Sequence, residues 1–174
     1  MIEPEVVGYD LDDTCSLAED LIKHVAKSTI DRCPRELEGF KTGDLVDSLA
    51  SSSPWERVAF DSVSEGQEKL TTEREKELAA KNGPMFVTHY PEHTMPFYMK
   101  RSGSNTLNFD LLLPEMGEVV GGSVREEDHD LLANRIADNG IKGLDWYLAL
   151  RKYGTVPHAG FGLGLERLVS YITG

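Results

Sequence analysis

Val156-Pro157-His158-Ala159-Gly160-Phe161-Gly162-Leu163-Gly164-Leu165-Glu166-Arg167-Leu168-Val169-Ser170-Tyr171-Ile172-Thr173 is the stretch that decides how this chain is read. Gly160, Gly162 and Gly164 alternate with Phe161, Leu163 and Leu165. That pattern predicts a strand with one bare face, where something can approach the backbone closely. Leu165, Leu168, Val169 and Ile172 are spaced as one face of a following helix. A strand that turns into a helix with an arginine at the junction suits a phosphate-bearing ligand on the glycine face. The plainer alternative is that the glycines serve only tight helix-on-sheet packing, with Glu166 and Arg167 solvated. Three alternating glycines followed by Glu-Arg favour the nucleotide reading.

The rest of the composition sets bounds. A chain of 174 residues, 40% hydrophobic, suffices for one domain with a sizeable core. It contains no apolar run long enough to span a membrane, and Met1-Ile2-Glu3-Pro4-Glu5 lacks the basic and apolar regions of a signal peptide. Cys15 and Cys33 have no metal-type spacing and suit a reducing compartment. A formal charge of −12 offers no general footprint for a nucleic-acid backbone, so any RNA grip comes from a local patch or from elsewhere.

Along the chain, Ile2 to Tyr9 is expected as a strand. Asp13 or Thr14 then caps a helix to about Arg32, with Leu17, Leu21, His24/Val25 and Thr29 as its stripe. Lys41 to Gly66, with Ser51-Ser52-Ser53-Pro54 at its centre, reads as a surface connection with one short helix at residues 44–49. A charged helix over 71–81 stops at Asn82-Gly83-Pro84, before a short strand at 85–88. Residues 93–100 and 105–113 read as paired strands joined by Arg101-Ser102-Gly103-Ser104. A strand over 118–124, a helix over 126–139 closed by Gly140, and a helical piece over 145–152 follow. Strands in hairpin-like pairs predict an α+β fold, an antiparallel sheet flanked by helices.

Asp110 inside Phe109-Asp110-Leu111-Leu112-Leu113 and Glu118 inside Gly117-Glu118-Val119-Val120 put one carboxylate on each of two neighbouring strands. Magnesium commonly takes one or two carboxylates plus phosphate oxygens. On their own, both residues would more simply face solvent. Gly121-Gly122-Ser123-Val124-Arg125 is more specific: the glycines clear space, and the guanidinium can hold a carboxylate or a carboxamide oxygen. Glu126, Glu127, Asp128 and Asp130 read as acidic residues of a helix's first turn. His158 can line a pocket or bond a backbone carbonyl, and the residues alone leave both open. The remaining histidines share no ligand spacing, which argues against zinc. There is no P-loop, Rossmann fingerprint or nucleophile elbow.

Together these segments resemble the class II aminoacyl-tRNA synthetases. Gly160 to Arg167 and the following helix are similar to their motif 3, and Met1-Ile2-Glu3-Pro4-Glu5 to the second strand of motif 2. Phe97-Tyr98-Met99, the Asp110 strand, Gly117 to Glu127 and Arg151 to Gly160 resemble the asparaginyl branch. The resemblance implies that Asp110 and Glu118 hold Mg²⁺ and ATP phosphates, and that Gly164, Leu165, Glu166 and Arg167 belong to the ATP site. Arg167 would neutralise the terminal phosphates and, with Glu118, serve catalysis. It further implies that Arg125 and Gly121 meet the substrate amino acid, with His158 and Gly160 lining the same pocket. The implied reaction is adenylation of an amino acid and its transfer to tRNA, without a protein nucleophile. Gly121 and the Glu126-Glu127 pair after Arg125 favour asparagine over aspartate.

The implied partners are asparagine, ATP and tRNA(Asn), with a homodimer, no membrane, and a cytoplasmic location in a family that also has organellar members. Residues 1–174 correspond to part of the catalytic domain, from the second strand of motif 2 to motif 3, without the anticodon-binding barrel. From this we expect incomplete ligand coordination and no tRNA charging by the chain alone. Competing expectations are an aspartyl enzyme, an asparagine-synthetase-like paralogue, and a non-catalytic fragment that binds ATP or an amino acid.

Overall fold

Asp10 separates the first strand, β1 (Glu5–Val7), from the first helix, α1 (Leu11–Arg32). Its carboxylate accepts the Asp13 N–H at 2.9 Å, and the Asp13 carboxylate accepts the Asp10 N–H at 3.3 Å. This reciprocal cap starts the helix ahead of the expected Asp13 or Thr14, because Asp13 acts as the cap's second half. The computed structural model describes residues 1–50 and 53–174. The buried face of α1 is Leu11, Thr14, Cys15, Ala18, Glu19, Ile22 and Ala26, not the expected stripe. Small side chains bring the helix close to the sheet, while Leu17, Leu21 and Val25 flank the contact half-buried.

After α1 come α2 (Pro34–Phe40) and α3 (Gly43–Leu49), and then β2 (Glu56–Ala59) and α4 (Phe60–Val63). The expected helix over 44–49 is α3. The expected surface connection is otherwise corrected: Val46, Leu49, Trp55 and Phe60 are all core residues. Ser51 and Ser52 of the serine run lie outside the described residues. The Trp55 N–H donates to Glu19 at 3.1 Å, and Lys23 pairs with the same carboxylate at 2.7 Å, which explains a buried acid within α1.

The main sheet also contains β3 (Met85–Thr88), β6 (Asn108–Leu113), β7 (Gly117–Val124) and β8 (His158–Leu163), in the order β1-β8-β7-β6-β3-β2. Every pair is antiparallel except β2 with β3 at one edge. The α+β expectation therefore holds, with a parallel edge strand added. A small hairpin of β4 (Arg101–Ser102) and β5 (Asn105–Thr106) stands apart. Residues 93–100, expected as a strand, form a 3-10 turn at Glu92–Thr94 and then irregular backbone. Pro91 and Pro96 remove ladder donors there, and Arg135 takes the Phe97 and Met99 carbonyls at 3.3 and 2.9 Å.

Helix α5 (Thr72–Asn82) is capped by Thr71 and closed by Gly83 at φ +80°. Helix α6 (His129–Asp138) is capped by Asp128, so it begins later than the expected residue 126. Helices α7 (Asp145–Gly154) and α8 (Leu165–Thr173) complete the chain. In α8, Leu168 and Tyr171 are buried, whereas Leu165 and Val169 are 45% and 51% exposed. Its core face is thus rotated from the one read in the sequence.

Alternation along β3 and β6 divides the core. Phe86, Phe109, Leu111 and Leu113 pack toward α1, and Met85, Val87 and Leu112 pack with Leu78 and Ala79 of α5. Gly122 is essential to the first layer. A Cβ there would stand 2.5 Å from the Phe109 ring and 2.8 Å from Phe161 Cβ. Gly122→Ala is expected to lose about 1–3 kcal/mol of stability in urea denaturation, the usual effect of overpacking a rigid core. Unchanged stability would mean that the two rings have slack the packing does not indicate.

Candidate active site

The β7 and β8 strands meet back to back at two glycines, Gly121 opposite Gly162. Bare backbone at that pair forms the floor of a cleft of about 300 Å³. Its walls include Glu5, Tyr98, Asp110, Glu118, Arg125 and Phe161. The glycine face is therefore ligand-sized space, although Gly160 serves packing. A Cβ on Gly160 would strike the Pro4 carbonyl and the Glu5 carboxyl at 2.5 Å, so this glycine lets β1 lie against β8.

Two carboxylates converge above the floor. A Cβ on Gly121 would lie 2.8 Å from Glu118 Oε1 and 3.4 Å from Asp110 Oδ1. Asp110 sits opposite Gly121 in the β6–β7 ladder, and a register shift between Leu111 and Leu112 carries Glu118 round to the same place. Burial pushes the Asp110 carboxyl up to about 7; the nearby Glu118 and Glu75 charges add to this, and the Tyr90 hydroxyl pulls the other way. Two close carboxylates, that of Asp110 with its pKa raised, fit a hard divalent cation that takes its other ligands from phosphate and water. Among the described residues no cluster of three or more His, Cys, Asp or Glu side chains is arranged to hold a metal.

Glu75 is a third carboxylate at this end and was missed in the sequence. It accepts the Glu118 N–H at 3.2 Å, and a Cβ on Gly117 would meet its Oε2 at 2.8 Å. Burial raises its pKa, with the Glu118 N–H bond and Arg167 pulling the other way. Arg167 Nη1 donates to the Glu118 carbonyl, so the Glu118 peptide is held from both sides. The exposed Arg167 is thus fixed beside the Glu118 backbone and the Glu75 carboxyl, as a cation available to an anionic ligand. Gly164 caps α8, and Leu165, Glu166 and Arg167 are exposed on its first turn; none of these four residues lines the cleft itself.

The other end of the cleft centres on Arg125. Its Nη2 donates to Glu5 Oε1 at 2.6 Å and its Nε contacts both Glu5 oxygens at 3.2 and 3.3 Å. Nη1 donates to Ser123 Oγ at 2.6 Å, and the Tyr98 ring lies 5.2 Å from the guanidinium carbon. Glu5, 120 positions away in sequence, was not anticipated as part of the site. The β1–β8 pairing, with Glu5 opposite Gly160, delivers it, and no local pattern in the sequence announces that pairing. His158 lies in a neighbouring depression with Val7 and Leu150, and its Nδ1 bonds the Val156 carbonyl at 2.8 Å. His158 thus does both things the sequence left open: it bonds a backbone carbonyl and lines a depression, one that shares Glu5 with the cleft. Glu126 is no first-turn acid: it is buried and paired with Arg135 at 2.8 Å, because α6 starts beyond it. Cys15 is fully buried, and desolvation pushes its thiol up to about 12, so it takes no part in chemistry here.

The model of the class II tRNA synthetases (D, K and N) matches residues 1–174. The chain is 42% identical to an asparagine–tRNA ligase of Clostridium botulinum, in an alignment that covers all of this chain and 43% of that protein. A probable mitochondrial asparagine–tRNA ligase of Dictyostelium discoideum is 37% identical, with all of this chain and 44% of the relative covered. Among solved structures, asparaginyl-tRNA synthetase from Pyrococcus horikoshii complexed with asparaginyl-adenylate superposes with a TM-score of 0.86 at 35% identity, covering 98% of this chain and 43% of that one. The chain thus spans less than half the length of the relatives it matches.

Proposed function

The chain belongs to the class II tRNA synthetases of the D, K and N family, and on that premise we propose that its glycine-floored cleft takes asparagine and magnesium-bound ATP for asparagine activation. The observation that carries the proposal is the Glu5–Arg125 pair. A carboxamide presents an acceptor and a donor side by side, and the pair supplies the complementary donor and acceptor. An aspartate side chain would set its carboxylate against Glu5, which disfavours it by like-charge contact. The relatives named for asparagine and the adenylate-bound neighbour support the same choice.

In this reading Asp110 and Glu118 hold the cation, and Arg167 reaches the phosphates from the first turn of α8. Bound magnesium would neutralise phosphate charge. The protein's own part is positioning: Arg125 and Glu5 fix the side chain, leaving the substrate's α-carboxylate to attack the α-phosphate as pyrophosphate departs. Glu75 and Arg167 hold the Glu118 peptide so that its carboxylate keeps its aim. Transfer to a tRNA(Asn) hydroxyl, a homodimeric assembly and a cytoplasmic location are the further expectations for the protein. Among the described residues, no helix is long and apolar enough to cross a membrane.

Asparagine-dependent exchange of pyrophosphate into ATP tests the reading. Asparagine, not aspartate, should support exchange, and Arg167→Ala should weaken ATP use by about 10–100-fold by removing a charge-assisted contact. Exchange with aspartate alone would sink the substrate assignment. ATP binding that is lost in Arg167→Ala, with no exchange in either protein, would make the chain a binding paralogue.

A further inference from the structure

Arg135 and Glu126 form a buried ion pair outside the cleft, with side chains 7% and 5% exposed. Burying two charges is a poor route to stability, since desolvation offsets most of their attraction. Each partner makes further bonds, and these lead toward the site. Arg135 Nη1 donates to the Phe97 and Met99 carbonyls, at 3.3 and 2.9 Å, on either side of Tyr98. The Glu126 N–H donates to the Tyr98 carbonyl at 2.9 Å, and the Glu126 carbonyl accepts from Arg151 Nε at 3.2 Å. Among the described residues, segment 97–99 has no ladder beyond a single bridge from Met99 to Arg125. Alongside the Glu126 N–H bond to Tyr98, Arg135 therefore holds the carbonyls on both sides of Tyr98.

We propose that the Glu126–Arg135 pair is a positioning device that fixes the 97–99 segment so that the Tyr98 ring orders the Arg125 guanidinium against Glu5. The pair touches no substrate. It acts through Tyr98, whose ring packs on Arg125 from one side while Glu5 and Ser123 hold the guanidinium's nitrogens. Cation–π contact and directed hydrogen bonds together leave Arg125 one orientation. Arg135 suits the task because its planar fork serves two carbonyls and a carboxylate at once, which an ammonium on a single carbon cannot do with the same geometry. The inference rests on the proposed asparagine pocket.

The test is calorimetric titration of the whole chain with asparagine and, separately, with magnesium ATP. Arg135→Met should weaken asparagine binding tenfold or more while leaving magnesium ATP within about threefold, since the carboxylate end of the cleft is untouched. Arg135→Lys should fall between Arg135→Met and wild type. Glu126→Gln, which preserves shape, should repeat the asparagine-selective loss and stands in where Arg135→Met does not fold. Tyr98→Ala should cost a similar factor, and the Tyr98→Ala, Arg135→Met double variant little more than either alone. Parallel losses for both ligands, or additive losses in the double variant, would reduce the pair to general structure and overturn the inference. Wild-type binding of asparagine with no change in any variant overturns it alone. Failure of wild type to bind asparagine removes the asparagine pocket, and this inference with it.

Discussion

Asparagine in place of Asp110 is expected to stabilise the metal-free protein at neutral pH, by on the order of 3 kcal/mol, while abolishing its response to magnesium ATP. Asp110 lies on a strand between Phe109 and Leu111, faces Glu118 across Gly121, and has its carboxyl pushed up to about 7 by burial first and by Glu118 second. A raised carboxyl pKa means that the native state binds the proton more tightly than the unfolded chain. Between about pH 4, where an unfolded aspartate titrates, and about pH 7, the native protein holds more protons, so stability falls as pH rises. The Asp110 contribution is intact below that window and lost above it. Asparagine keeps the shape without the ionisation. The stability difference between Asp110→Asn and wild type in urea with a chelator should therefore widen from pH 4 to pH 7 and then level. Magnesium ATP should raise the melting temperature of wild type, whose carboxylates the cation would pair, and leave Asp110→Asn unmoved. A variant less stable than wild type at every pH would show that Asp110 is held by favourable bonds, and the strained carboxylate pair would have to be abandoned.

The same strand shows what a linear sequence can reveal. Asp110 and Glu118 were legible as neighbours because both lie within strands that are contiguous in sequence and paired by a short turn, but taken alone they read as facing solvent, and only the family resemblance favoured a shared site. The β8–α8 unit was legible for a similar reason: glycine alternation and the helix start occupy one unbroken stretch. Glu5 and Glu75 were not legible as site residues. Glu5 reaches Arg125 only because β1 closes the edge of the sheet beside β8, and Glu75 reaches the Glu118 N–H only because α5 crosses β7. Neither contact leaves a local signature. The stretch from 41 to 66 failed differently. Trp55 and Phe60 anchor β2 and α4 through burial, against a local composition of Ser, Asp and Gly that argues for a loop. Glu126 was misread because helix-start rules reward any acid near an N-terminus; the cap is Asp128, two positions later, which frees Glu126 to turn inward.

Removing Arg125 is expected to have the largest effect on ligand recognition. Arg125→Ala should lower asparagine affinity by 10²-fold or more and leave magnesium ATP nearly unchanged, because it deletes a charge-assisted donor and leaves the Glu5 carboxylate facing the substrate without its partner. Glu5→Gln is the sharper experiment. It keeps the size of the side chain and an acceptor oxygen, but it removes the negative charge that opposes aspartate. Asparagine binding should weaken modestly, since the bond from Arg125 Nη2, now made at 2.6 Å, loses its charge assistance and one of the two oxygens that Nε contacts becomes an amide nitrogen. Aspartate binding should improve, since an arginine with no neighbouring carboxylate is a better partner for an anion. The ratio of asparagine to aspartate affinity should fall by at least tenfold, as expected where specificity depends on one repulsive contact. Competition titrations of both amino acids into wild type and Glu5→Gln measure that ratio directly. An unchanged ratio would mean that Glu5 only neutralises Arg125, and that selection between the two amino acids lies elsewhere in the cleft.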